Sequence, residues 1–78
     1  MIASKQDIIE IIKTANVAPD TSALRSDIAL QDQGIDSLGV FSIMLLIEEK
    51  YGIKVEDADI DQLTTIESII TYLDKKVG

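Results

Sequence analysis

The chain has 78 residues, is 46% hydrophobic and carries a net charge of −7, which bounds it to one small acidic domain, residues 1–78. It contains no cysteine and no histidine, so disulfides, thiolate metal sites and thiol chemistry of its own are excluded, and the commonest general base and zinc ligand are missing. Residues 1–26 hold three acids and three bases, whereas residues 27–78 hold eleven acids and four bases. That acidic stretch repels nucleic acid and anionic lipid and attracts basic protein surfaces, although acidity also simply keeps a small domain soluble. No apolar run approaches the roughly 20 residues of a membrane span, and the N-terminus lacks the pattern of a signal peptide, so a cytoplasmic location is expected.

Ser4 is placed to cap a first helix, with Asp7 three residues on able to reach back. At about 100° per residue, Ile8, Ile11, Ile12 and Ala15 fall on one side, with Ile9 at its edge. Gln6, Glu10, Lys13 and Thr14 fall on the other. This predicts an amphipathic helix over residues 4–15 with a structural role.

Residues 16–36 contain the only proline, Pro19, and little periodicity; Leu24, Ile28, Leu30 and Ile35 recur as anchors among polar residues. Such a long connection is expected to hold at least one short helical turn. At its end comes Gly34-Ile35-Asp36-Ser37-Leu38. Gly34 loosens the backbone, Asp36 is placed to cap a helix, and Ser37 becomes its first or second residue, with its hydroxyl at the positive end.

From Ser37 to Tyr51 the pattern is helical and unusually apolar. Val40, Ile43, Met44, Ile47 and Tyr51 cluster on the expected core face. Leu38, Gly39, Ser42, Leu45, Leu46 and Glu49 lie opposite, with Phe41 and Glu48 at a flank. A small domain can hardly enclose such a helix, so some of Leu38, Leu45 and Leu46 are expected to be exposed for a partner or to cover a ligand. The alternative is that the long loop folds over them.

Gly52 is expected to end this helix, and residues 53–55 to form loop. Residues 56–63 are predicted as one short helix, with Ala58, Ile60 and Leu63 as its apolar contacts. Thr64 and Glu67 have capping-box spacing, and Ile66, Ile69, Ile70, Leu73 and Val77 continue a helix towards the C-terminus. Lys75 and Lys76 suit its last turn. The expected fold is all-α: a four-helix bundle of three longer helices and one short helix, with a long loop between the first and second.

Three features could carry chemistry. Asp57-Ala58-Asp59-Ile60-Asp61 imitates the start of a calcium loop, but Gln62 and Ser68 stand where the motif needs glycine and glutamate, so a solvated acidic helix is expected and no metal site. Ser37 as a nucleophile needs a base, and only Asp36 or a lysine such as Lys50 is offered. No catalytic residue is therefore assigned, and the chain is not expected to be an enzyme. Ser37 as an attachment point fits its place at a helix N-terminus, which tolerates an anionic phosphodiester. The residues alone leave this open against a plain helix start.

Gly34-Ile35-Asp36-Ser37-Leu38, with the apolar helix that follows and ends in Glu48-Glu49-Lys50-Tyr51-Gly52-Ile53, resembles the acyl carrier proteins over nearly the whole chain. The acidic short-helix region and the Thr64-Thr65-Ile66 start of the last helix are similar too. The resemblance implies a 4'-phosphopantetheine arm joined to Ser37, within a motif that includes Asp36 and Leu38. A phosphopantetheinyl transferase takes the arm from coenzyme A, using magnesium. The arm's thiol carries acyl groups as thioesters for fatty acid, polyketide or related lipid biosynthesis.

The resemblance also makes the second helix a recognition surface for acyl-loading and acyl-processing enzymes, here Leu38, Gly39, Ser42, Leu45, Glu48 and Glu49. Val40, Met44, Ile47, Ile60 and Ile69 become candidates to line an acyl shelter, with core packing as their primary expected role. Gly39 and Ser42 stand where fatty-acid carriers usually place acids, Phe41 where a smaller aliphatic residue is common, and Gln33 where leucine often precedes the glycine. These departures point towards a specialised carrier serving dedicated enzymes. Asp-Ser-Leu-Gly is also similar to carriers of the nodulation type, and D-alanyl carriers show a related motif. A freestanding chain is expected from the Met1 start and short tails, and a monomer is expected as well. The rival reading is a helical protein-interaction module without a prosthetic group.

Overall fold

The first helix begins where its cap is written. In a computed structural model describing residues 3–18 and 20–77, α1 runs Lys5–Ala15. The Ser4 hydroxyl accepts the Asp7 N–H at 3.2 Å, and the Asp7 carboxylate accepts the Ser4 N–H at 3.0 Å. That backbone N–H holds the Asp7 carboxyl below the usual carboxylate range. Ile8, Ile11 and Ile12 are buried as expected, and Asn16 ends the helix in the left-handed region with φ 55°.

The long connection contains two 3-10 turns, Thr21–Ala23 and Leu30–Gln33, where at least one was expected. Pro19 lies outside the described residues. Leu24, Leu30 and Ile35 are buried anchors. Gln33 pins the connection from within: its carboxamide accepts the Arg25 N–H at 2.6 Å and donates to the carbonyls of Arg25 (2.9 Å) and Ile28 (2.8 Å). Two backbone bonds then sew the loop to the far end of the chain. The Leu30 N–H donates to the Thr64 carbonyl at 2.7 Å, and the Glu67 N–H donates to the Ser26 carbonyl at 3.1 Å.

Helix α2 spans Ser37–Tyr51. Val40, Ile43, Met44 and Ile47 are buried against α1 and the rest of the core, with Tyr51 half-buried at the edge. Gly52 ends α2 in the left-handed region. Residues 53–55 are loop, and the Val55 N–H is held by the Glu48 carboxylate at 2.7 Å.

Helix α3 covers only Asp57–Ile60, shorter than the expected 56–63. No side chain caps it at Glu56, and beyond Ile60 the bonding tightens. The Gln62 N–H donates to the Asp59 carbonyl at 2.9 Å and the Leu63 N–H to the Ile60 carbonyl at 3.0 Å, a three-residue spacing.

Helix α4 runs Ile66–Lys76. Its cap corrects the expectation: the capping box is Thr65 with Ser68, not Thr64 with Glu67. The Ser68 N–H donates to Thr65 Oγ1, and the Thr65 N–H to Ser68 Oγ, both at 3.0 Å. The expected pair is engaged elsewhere, with the Thr64 carbonyl taken by Leu30 and the Glu67 N–H by Ser26. Ile66, Ile69 and Leu73 are buried, Ile70 is half-buried, and Val77 lies just past the helix and exposed. The fold is thus the all-α bundle expected, three longer helices and one short, with no strand among the described residues.

Candidate functional site

The site is built by a reversal of the chain. The Ile35 N–H donates to the Leu30 carbonyl at 3.1 Å, and the Ile35 side chain is fully buried. Gly34, with φ 93°, supplies the left-handed residue that this turn requires. Asp36 is extended (φ −77°, ψ 179°), and its carboxylate accepts the Gly39 N–H at 2.8 Å. Ser37 is consequently the first residue of α2, exposed, with the helix's unpaired N–H groups and positive dipole end beside it. Gln31 Nε2 donates to Ser37 Oγ at 3.4 Å. An amide cannot take up a proton, and the Asp36 carboxylate is engaged at the Gly39 N–H, so neither of these neighbours is set to activate Ser37 as a nucleophile.

Beside Ser37 opens a cleft of about 310 Å³ between the loop, α2 and the end of α3. Ala29, Val40, Ile60 and Leu63 give it apolar surface, while Gln31, Ser37, Asp61 and Thr64 bring polar groups. Of the candidate shelter residues, Val40 and Ile60 line this cleft. Met44, Ile47 and Ile69 instead fill the buried core. A separate groove of about 330 Å³ runs between α1 and α2, lined by residues including Ile11, Leu46 and Lys50, and among the described residues it shares no lining with the cleft.

Along α2, Leu38 is 78% exposed, Phe41 49% and Leu45 50%. Leu38 and Leu45 are thus uncovered, as the apolar pattern implied. Leu46 is half-buried at the second groove. Among the expected recognition residues, Glu49 is exposed and Ser42 half-exposed. Glu48 has its carboxylate tied to the Val55 N–H. Gly39 departs from the expectation: it is buried, and a Cβ there would lie 2.8 Å from Ile35 Cγ2 and 3.1 Å from Val17 Cβ. At Gly39 the backbone therefore approaches the loop closely.

The carboxylates of Asp57, Asp59 and Asp61 do not converge, and among the described residues no group of three such ligands could hold a metal. Asp59 instead accepts the Tyr72 hydroxyl at 2.8 Å, tying α3 to α4. Burial and this bond push the Tyr72 phenol up to about 12. Among the described residues no helix is long and apolar enough to cross a membrane.

Sequence reasoning missed Gln31, which reaches Ser37 from an irregular segment where no periodicity announces a side chain's direction. It placed Phe41 only at a flank. The signal available for Phe41 was its spacing from Leu38 and Leu45, three and four residues, which puts all three on one stripe.

A family model described as the phosphopantetheine attachment site matches residues 6–73. A protein of Thermotoga maritima named acyl carrier protein is 31% identical over 81 residues, covering 99% of this chain and all of its own length. One of the same name from Campylobacter hominis is 34% identical over 64 residues, 82% of this chain and 80% of its own. Its counterpart from Campylobacter fetus is 31% identical, with 82% of each chain covered. The chain belongs to the acyl carrier protein family, whose members bear a covalently attached 4'-phosphopantetheine, work with a phosphopantetheinyl transferase and acyl-processing enzymes, and carry rather than catalyse.

Proposed function

We propose that Ser37 is the residue to which the phosphopantetheine arm is joined, and that the domain of residues 1–78 presents acyl groups in turn to the enzymes of a fatty acid, polyketide or related lipid pathway. The observation that carries this reading is the exposed Ser37 hydroxyl at the capped start of α2, with a partly apolar cleft beside it. The residues present fit the group. An exposed oxygen admits a transferase, the helix N-terminus favours an anionic phosphodiester, and the cleft offers apolar surface to a chain-like substituent.

On attachment, Ser37 Oγ forms a bond to the pantetheine-bearing phosphorus of coenzyme A. The pyrophosphate P–O bond breaks, and adenosine 3',5'-bisphosphate leaves. The hydroxyl proton passes to a base on the transferase, because the group hydrogen-bonded to Ser37 Oγ is the Gln31 amide, which cannot take it up. The arm supplies the thiol that a chain without cysteine lacks.

The chain's own residues do the placing. Asp36 fixes the first turn of α2, and Gly39 lets Ile35 and Val17 pack against it, so the serine stands on a rigid base. Val40, Ile60 and Leu63 give apolar cargo a surface next to the attachment point. Leu38, Ser42, Leu45 and Glu49, with Phe41 added, form the face that partner enzymes meet. Between Ser37 and Ile47 this face has no charged residue, which favours dedicated partners with apolar docking surfaces over partners that read acids there. The domain acts as a cytoplasmic monomer.

Intact mass after incubation with coenzyme A, magnesium and a phosphopantetheinyl transferase tests the proposal. A gain of one phosphopantetheine, abolished in Ser37→Ala, is expected. A folded protein that gains nothing is the helical interaction module instead.

A further inference from the structure

We infer that Gln31 is a positioning residue for the arm: its carboxamide binds a phosphodiester oxygen on Ser37 and turns the arm into the cleft that the two residues share. This rests on Ser37 being the attachment residue.

The root of the Gln31 side chain is fixed. Its own carbonyl accepts the Gly34 N–H at 3.4 Å, the preceding Leu30 is fully buried with its N–H on the Thr64 carbonyl, and the following Asp32 N–H donates to the Ala29 carbonyl at 3.0 Å. From that turn Nε2 reaches Ser37 Oγ at 3.4 Å, long for a bond between neutral groups. Esterification changes the acceptor. Ser37 Oγ becomes the bridging atom of a phosphodiester, and the non-bridging oxygens attached to the same phosphorus carry the negative charge. Hydrogen bonds to charged oxygens are shorter and roughly twice as strong as neutral ones. The carboxamide has two N–H donors and brings no charge of its own.

Neutrality matters here. The chain carries a net charge of −7, Asp36 adjoins Ser37, and Asp61 lines the same cleft. A glutamate at 31 would add a further carboxylate beside the new anion. The start of α2 offers N–H groups from the helix side, while Gln31 offers them from the loop side. An anion held from both sides directs the arm along the cleft towards Ile60 and Thr64 instead of leaving it to swing in solvent.

The test is NMR of the loaded protein, prepared from wild type, Gln31→Ala and Gln31→Glu and checked by intact mass and circular dichroism. Loading the wild type is expected to shift the Gln31 side-chain amide protons downfield. Both substitutions are expected to move the phosphorus resonance of the diester, and Gln31→Glu to make the arm's methylene groups more mobile. The inference is overturned if the Gln31 amide signals are the same before and after loading and the phosphorus signal of Gln31→Ala coincides with that of wild type. A wild-type protein that gains no mass overturns the attachment reading and this inference with it. A mass gain with unchanged spectra overturns this inference alone.

Discussion

Asp36 and Gly39 constrain each other: the Asp36 carboxylate accepts the Gly39 N–H at 2.8 Å, and a Cβ added at Gly39 would crowd the same carboxylate oxygen at 3.3 Å. The cap and the missing side chain therefore belong to one packing arrangement. Gly39→Ala raises helix propensity by about 1 kcal/mol but forces a methyl against Ile35 and Val17, an overpacking cost of about 1–3 kcal/mol. Net destabilisation in urea unfolding is expected, with slower arm transfer to Ser37. Asp36→Ala loses the cap and costs about 1 kcal/mol. A Gly39→Ala protein more stable than wild type would contradict the arrangement.

Leu45 is half exposed, and its substitution tests docking without testing the core. Leu45→Glu is expected to change unfolding free energy by less than about 0.5 kcal/mol. Phe41→Ser is expected to leave the helical circular dichroism spectrum intact. Each should raise the KM of an acyl-processing partner for the loaded carrier by about tenfold, the effect of losing about 1.4 kcal/mol of binding. Loss of the fold in Leu45→Glu would place Leu45 in the core.

Tyr72 gives the bundle an alkaline weak point. Its phenol is raised from 10.0 to about 12, first by burial and then by the hydrogen bond to Asp59, with the charges of Asp59, Glu56 and Glu48 adding to the effect. A raised folded-state value means that the neutral phenol is favoured by folding. The contribution is fully present below about pH 10 and is lost as pH rises through about 12. Tyr72→Phe should cost about 1 kcal/mol at pH 7. Thermal melts at pH 9 and pH 11.5 should show a smaller alkaline loss in Tyr72→Phe than in wild type.

Gln33 stands where the resemblance would put leucine, and its three hydrogen bonds hold the backbone of Arg25 and Ile28. Gln33→Leu, although it restores the commoner residue, should destabilise the domain by about 1–2 kcal/mol by leaving those groups without a partner. Faster amide exchange at Arg25 is the local signature. A more stable variant would show that the pin adds nothing.

The helices were legible because their information is local. Ser4 and Asp7 form the reciprocal cap read from their spacing, and Ile8, Ile11 and Ile12 lie buried on the face that a helical period assigns them. The buried face of α2 was legible for the same reason. What escaped was non-local. Thr64 and Glu67 have the spacing of a cap, but Leu30 and Ser26 claim their backbone groups from more than thirty residues away, and Thr65 caps instead. Gly39 looked like a surface position until Val17, from just past the end of the first helix, packed against it. Ser37 could be singled out from its cap and its resemblance. Gln31, whose direction depends on how the loop is sewn to α4, could not.

The cleft beside Ser37 ends at the buried side chains of Val40 and Leu63, while Met44, Ile47 and Ile69 keep the interior filled. On the proposed reading, cargo seated there would wait at a threshold and not inside a room. Surrendering it to an enzyme would then require no helix to part and no core to re-form, only the movement of surface side chains. Such a carrier would trade length of protection for speed of release.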